Sequence, residues 1–125
     1  MRLAAVVAVL LLAAGCGDGR PKLVPAAGKV TLNGQSVVGG SMTFHPESGA
    51  LDKGDRPSCQ LQADGSFTAQ TYPYGDGVVP GAYKVTLDPA LAARIKKPLY
   101  ADPTKTPLRI DVPAAGVTGH LFEIK

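Results

Sequence analysis

The chain has 125 residues, 45% apolar and 18% charged, with 13 basic against 10 acidic side chains and a formal charge of +3. That length suits one domain with one modest core. So small a basic excess argues against nucleic acid as a partner.

Residues 3–14 form an almost unbroken apolar block, preceded by Arg2 and followed into the small residues Ala13, Ala14 and Gly15, the layout of a signal peptide over residues 1–15. Twelve helical residues cover only about 18 Å of a hydrocarbon core about 30 Å thick, too short for a permanent span. Cys16 follows at once. Ala-Ala-Gly-Cys resembles the lipobox of bacterial lipoproteins, in which the cysteine thiol receives a diacylglyceryl group and becomes the first residue after cleavage. The position three before the cysteine is usually Leu in that motif and is Ala13 here, with Leu12 one place early. The resemblance implies lipid attachment at Cys16, the membrane as a partner through the acyl chains, and a domain outside the cytoplasm in a bacterial cell envelope. A plain secreted protein with an incidental Cys16 is the alternative.

Each buried CH₂ is worth about 0.8 kcal/mol, so two or more acyl chains hold a protein stably on a membrane. Loss of residues 1–15 would leave 110 residues, remove Arg2 and lower the formal charge to +2. With Cys16 acylated, Cys59 has no partner for a disulfide and reads as a small buried apolar residue. Residues 17–27, GDGRPKLVPAA, mix Gly, Pro and charge without a period, so residues 16–27 read as the lipidated cysteine and a flexible tether typically spanning about 18 Å.

From Gly28 to Lys125, short alternating apolar runs separated by Gly, Pro, Asn and Asp predict an all-β, antiparallel Greek-key sandwich of about seven strands. Candidate strands are residues 28–32, 35–38, 41–45, 58–62, 66–70, 81–87, 107–112 and 120–125. One short helical turn is predicted near 89–97, with Asp88 as N-cap, Pro89 at the first position, Leu91 and Ile95 on one face, and Pro98 as its stop. Alternation points Val30, Leu32, Met42, Phe44, Cys59, Leu61, Phe67, Ala69, Tyr83, Val85, Leu87, Leu108, Ile110, Val112, Phe122 and Ile124 inward. It turns Thr31, Thr43, Gln60, Lys84, Arg109, Asp111 and Glu123 to water.

Turn chemistry sets the registers. A two-residue turn at Asn33-Gly34 places Val30 opposite Val37 and keeps one face apolar. A three-residue loop Ala63-Asp64-Gly65 pairs Leu61 with Phe67 and Cys59 with Ala69, whereas a two-residue loop would mix polar and apolar residues on both faces. Pro80-Gly81 has the residues of a type II turn leading into the strand that follows.

Taken together, GKVTLNGQSVVGGSMTFHPE, QADGSF, VPGAYKVTL and YADPTKTPLRIDV resemble small envelope lipoproteins common in planctomycete bacteria, which are similar to carboxypeptidase regulatory-like domains. The likeness covers about residues 28–125 and implies a transthyretin-like or immunoglobulin-like sandwich with no catalytic residues of its own. Fold likeness alone does not supply a function.

Few residues suggest chemistry. His45 and His120 have no Cys or His at zinc-ligand spacing. Glu47, Asp52 and Asp55 could offer oxygens to calcium from one loop, but without EF-hand spacing. Ser36 and Ser41 lie outside any Gly-x-Ser-x-Gly elbow. Arg94, Lys96, Lys97, Lys105 and Arg109 give the second half a basic bias that could meet anionic lipid headgroups or acidic polymers, or simply be solvated. The loop TYPYGDG offers Tyr72 and Tyr74 as ring faces and Asp76 as an acceptor for a glycan, unless both rings fold back over the end of the sandwich. The expectation is therefore a membrane-anchored, non-catalytic envelope lipoprotein without a cofactor or metal, serving as a structural or protein-interaction module. A carbohydrate-binding module is the alternative.

Overall fold

Alternation from Ala26 to Leu32 makes β1, the strand around which one of two sheets is assembled. The structure, a computed structural model, describes residues 22–47 and 56–125. The signal peptide, Cys16, Asp52 and Asp55 lie outside the described residues. β10 (Val117–Ile124) runs along the length of β1, which also pairs with β2 (Gln35–Ser36) near its end and with β5 (Ser66–Thr68) near its start. The second sheet has the order β7 (Gly75–Asp76), β6 (Gln70–Thr71), β4 (Ser58–Gln60), β3 (Ser41–Pro46), β8 (Gly81–Leu87) and β9 (Arg109–Val112).

The fold is the expected all-β sandwich, with two differences in detail. β1 and β10 are parallel, while the other strand pairs are antiparallel. The whole domain separates these two strands in sequence, so no hairpin dictates their direction. Among the described residues ten strands stand where about seven were expected. The predicted strand 66–70 divides at Ala69: β5 pairs with β1, and β6 pairs with β4 in the other sheet. Ala69 is the pivot, donating its N–H to Ala26 and accepting from Gly77, both at 2.8 Å.

The inward set is buried, from Val30, Met42 and Phe44 at 0% to Cys59 and Leu108 at 6%, except Leu32, which is half-buried at the edge. A chain of rings joins the sheets. Phe44 lies 6.1 Å from both Phe67 and Tyr83, and Phe67 stacks 5.6 Å from Phe122. The Tyr83 hydroxyl donates to the Val79 carbonyl, so the ring is buried without an orphaned polar tip.

Both hairpin registers hold. Asn33 and Gly34 take φ of 51° and 84°, as a two-residue turn with two positive φ requires, and the Val37 N–H donates to the Val30 carbonyl at 2.9 Å. Gln62 donates to Ser66 across the three-residue loop, and Ser58 pairs with Gln70 in the same register. Asp64 fixes that loop by accepting from the Ser66 N–H at 3.0 Å. Gly81, by contrast, is already the first residue of β8, paired with Val112, rather than a turn corner.

The domain starts earlier than Gly28. Val24 is buried and exchanges 2.8 Å hydrogen bonds with Val78, and Val117 donates to the Pro25 carbonyl, so Val24 to Ala27 belong to the sandwich rather than to the tether. β10 carries one extra residue opposite β1, since Ala26 pairs with Val117 but Gly28 with His120. There the backbones close in: an added Cβ at Gly28 would lie 1.7 Å from the His120 carbonyl oxygen. Only glycine fits.

α1 (Pro89–Arg94) is capped as expected, with the Leu91 N–H donating to Asp88 Oδ2 at 3.4 Å. It ends before Pro98, at Ile95, with Lys96 at φ 62°. A 3₁₀ turn over Pro98–Ala101 follows. Leu91 and Ala92 carry the helix into the core.

Candidate binding surface

The loop TYPYGDG is a hairpin, with β6 and β7 as its arms and Tyr72, Pro73 and Tyr74 as its tip. Its base is built inward. Thr71 is fully buried and its Oγ1 donates to the Gly77 carbonyl at 2.8 Å, while the Tyr74 N–H donates to the Thr71 carbonyl at 2.7 Å. Its tip is built outward. Tyr72 is 85% exposed and Tyr74 41%, which overturns the alternative that both rings fold back over the end of the sandwich.

Asp76 is exposed opposite Gln70, and Gln70 lies opposite Ser58. Residues directly opposite one another share a sheet face, so the three side chains form one outward row. The next row has Gln60 opposite Ser41. Ser41, Ser58, Gln60, Gln62, Thr68 and Gln70 line a groove of about 530 Å³ with Cys59 beneath. Amides and hydroxyls can each donate and accept, which suits a hydroxyl-rich ligand. The structure thus brings Asp76 beside a glutamine face that sequence reasoning did not single out. Its signal was the alternation of Gln60, Gln62 and Gln70 with buried Leu61, Ala69 and Thr71.

The other candidates serve the fold. His45 Nε2 lies 2.9 Å from Thr86 Oγ1; burial lowers its pKa, helped by the charge of Arg56. His120 stands against Phe122 and burial lowers its pKa too. The two histidines lie on different sheets. Glu47 pairs with Arg109, whose hydrogen bonds hold the carboxyl below its usual range. Arg94 donates to the Val38 carbonyl at 2.6 Å and the Gly39 carbonyl at 3.3 Å, tying α1 to the turn before β3. Two members of the basic cluster are therefore engaged within the domain. Burial pushes the Cys59 thiol up to about 12, so it is neither a thiolate nucleophile nor a ready ligand at neutral pH.

Ser36 is exposed on β2, and Ser41 belongs to the glutamine groove. Among the described residues no three His, Cys, Asp or Glu side chains gather closely enough to hold a metal ion, and no helix is long and apolar enough to cross a membrane. No protein family, curated protein or solved structure matches the chain.

Proposed function

We propose that the protein is a non-catalytic module of a bacterial cell envelope, anchored by acyl chains on Cys16 and acting through contacts made by its β-sandwich. The observation that carries a contact role is the uncovered tip of the β6–β7 hairpin, where Tyr72 and Tyr74 keep ring area in water that the core leaves unused. A structural or protein-interaction role needs no more than such a surface on a stable scaffold. The anchor is tested by Cys16→Ser, which should leave the protein soluble or uncleaved. Fatty-acid labelling and mass spectrometry of the mature N-terminus give the direct reading, and a mature chain with no acyl group defeats the proposal.

A specific observation favours carbohydrate as the second reading. The outward row of Asp76, Gln70 and Ser58 is followed by a second row with Gln60 and Ser41, and Gln70 stands two residues before Tyr72, so one hairpin carries both exposed rings and polar partners, a combination that suits a glycan. Tyr72→Ala combined with Tyr74→Ala should abolish retention on glycan arrays with the fold intact. Absence of glycan binding by the unaltered protein leaves the protein-interaction role.

A further inference from the structure

The start of the folded chain and the aromatic hairpin share one end of the sandwich. β1, β8 and β10 begin at that end, β3 and β9 finish there, and Ser58, the first residue of β4, pairs with Gln70 just before the hairpin tip. The opening segment also lies against the base of the hairpin. A Cβ added at Gly77 would sit 2.7 Å from the Val24 carbonyl oxygen and 3.1 Å from the Leu23 Cβ, and Gly77 is three residues from Tyr74.

Lys22 to Cys16 is a short path. Six residues reach at most about 21 Å when fully extended, and β1 alone, with seven residues, is about 23 Å long. Acyl chains on Cys16 would therefore keep the hairpin end next to the bilayer and leave the opposite end, where Val38 and Arg94 lie, one domain length further out. From these relations we infer that the tip Tyr72-Pro73-Tyr74 rests in the headgroup region of the membrane that holds Cys16. The inference rests on the anchorage proposed above.

The chemistry of the tip fits that place. A tyrosine ring is apolar along its body and polar at its hydroxyl, and such side chains collect where hydrocarbon gives way to headgroups. Exposed Lys22 offers a cation to anionic lipids. Among the described acidic residues near this end, Asp76 is set back on β7 in the row with Gln70, exposed Asp111 on β9 lies opposite Ala82, and Glu47 is paired with Arg109. The lipid chains would supply the binding strength, and the rings would fix which end of the domain faces the surface.

The chain has no Trp, so Tyr72→Trp and Val38→Trp each create a sole reporter, one at the hairpin tip and one at the opposite end, where Val38 is 45% exposed. Both variants of the full lipidated protein would be placed in vesicles of phosphatidylcholine and phosphatidylglycerol, with and without bromine on the acyl chains near the headgroups. Bromine should reduce Tyr72→Trp emission by about half, as for an interfacial indole, and leave Val38→Trp unchanged. Equal quenching of the two, or none at the tip, overturns the inference. No lipid quenching together with an emission shift on adding soluble oligosaccharides overturns it in favour of the glycan reading. The N-terminal mass of the same samples separates the two possible failures. An acylated Cys16 with an unquenched tip defeats this inference alone, whereas an unacylated Cys16 defeats the anchorage and this inference with it.

Discussion

The imidazole of His120 stands edge-on to the ring of Phe122, with centroids 4.5 Å apart and planes at 67°. The contact draws the imidazole out of water, and burial lowers its pKa from the ordinary 6.5; His45 is lowered in the same direction, by burial first and then by Arg56. The unfolded chain then binds these protons more readily than the folded one. Their contribution to stability is complete above the unfolded value of 6.5 and is lost as pH falls through the lower folded values. Urea midpoints should be level from neutral to mildly alkaline pH, below the range in which the Cys59 thiol titrates, and decline on acidification, with His120→Gln flattening part of the decline. A midpoint that rises as the solution is acidified would contradict this assignment.

Phe67 touches the ring of Phe44 on one sheet and that of Phe122 on its own, and is 2% exposed. Truncation to alanine removes the link between the two sheets and leaves a cavity. Phe67→Ala should cost about 3–5 kcal/mol in denaturant unfolding. A loss below about 1 kcal/mol would mean that the ring contributes as little as a surface side chain.

Gly28→Ala tests the close approach of β1 and β10. The new methyl would lie 1.7 Å from the His120 carbonyl oxygen, a backbone atom that cannot swing aside, so the two strands must separate locally. Loss of at least about 2 kcal/mol is expected, at the upper part of the range for overpacking. Gly119→Ala, with nothing within 4 Å of its Cβ position, is the matched control and should be far milder.

Cys59 gives a reading of opening rather than of redox chemistry. With the thiol buried and its pKa pushed up to about 12, a disulfide reagent at neutral pH should modify it only as fast as the domain opens. Labelling should accelerate across the urea transition. Rapid stoichiometric labelling of the native protein would show that the β3–β4 region is not closed.

Period-two alternation exposed the inner face because each strand has a core on one side only, and the inward set from Val30 to Ile124 was therefore legible residue by residue. The Asn33-Gly34 and Ala63-Asp64-Gly65 turns were legible for the same reason, since a shift of one residue would have reversed the faces. The direction of β10 was not, because pairing across the whole domain leaves no local mark. Nor was the division at Ala69: one backbone can serve two sheets without any change in alternation. In the candidate surface, Tyr72, Tyr74 and Asp76 stood out by residue type. Which way the rings turned did not, because cover over a loop depends on tertiary neighbours. The glutamine face was written into alternate positions but becomes a surface only when β4 and β6 are paired.

The parallel pairing of β1 with β10 also governs how the domain would respond to traction. The start of β1 and the finish of β10 lie at opposite ends of one ladder, so a load applied between them would slide the two strands past each other and strain the rungs together. Antiparallel neighbours pulled from their adjoining ends open one rung at a time. A domain held at its first strand and gripped beyond its last would thus resist force by shear, and its lifetime under tension would follow the rate of unfolding rather than its equilibrium stability.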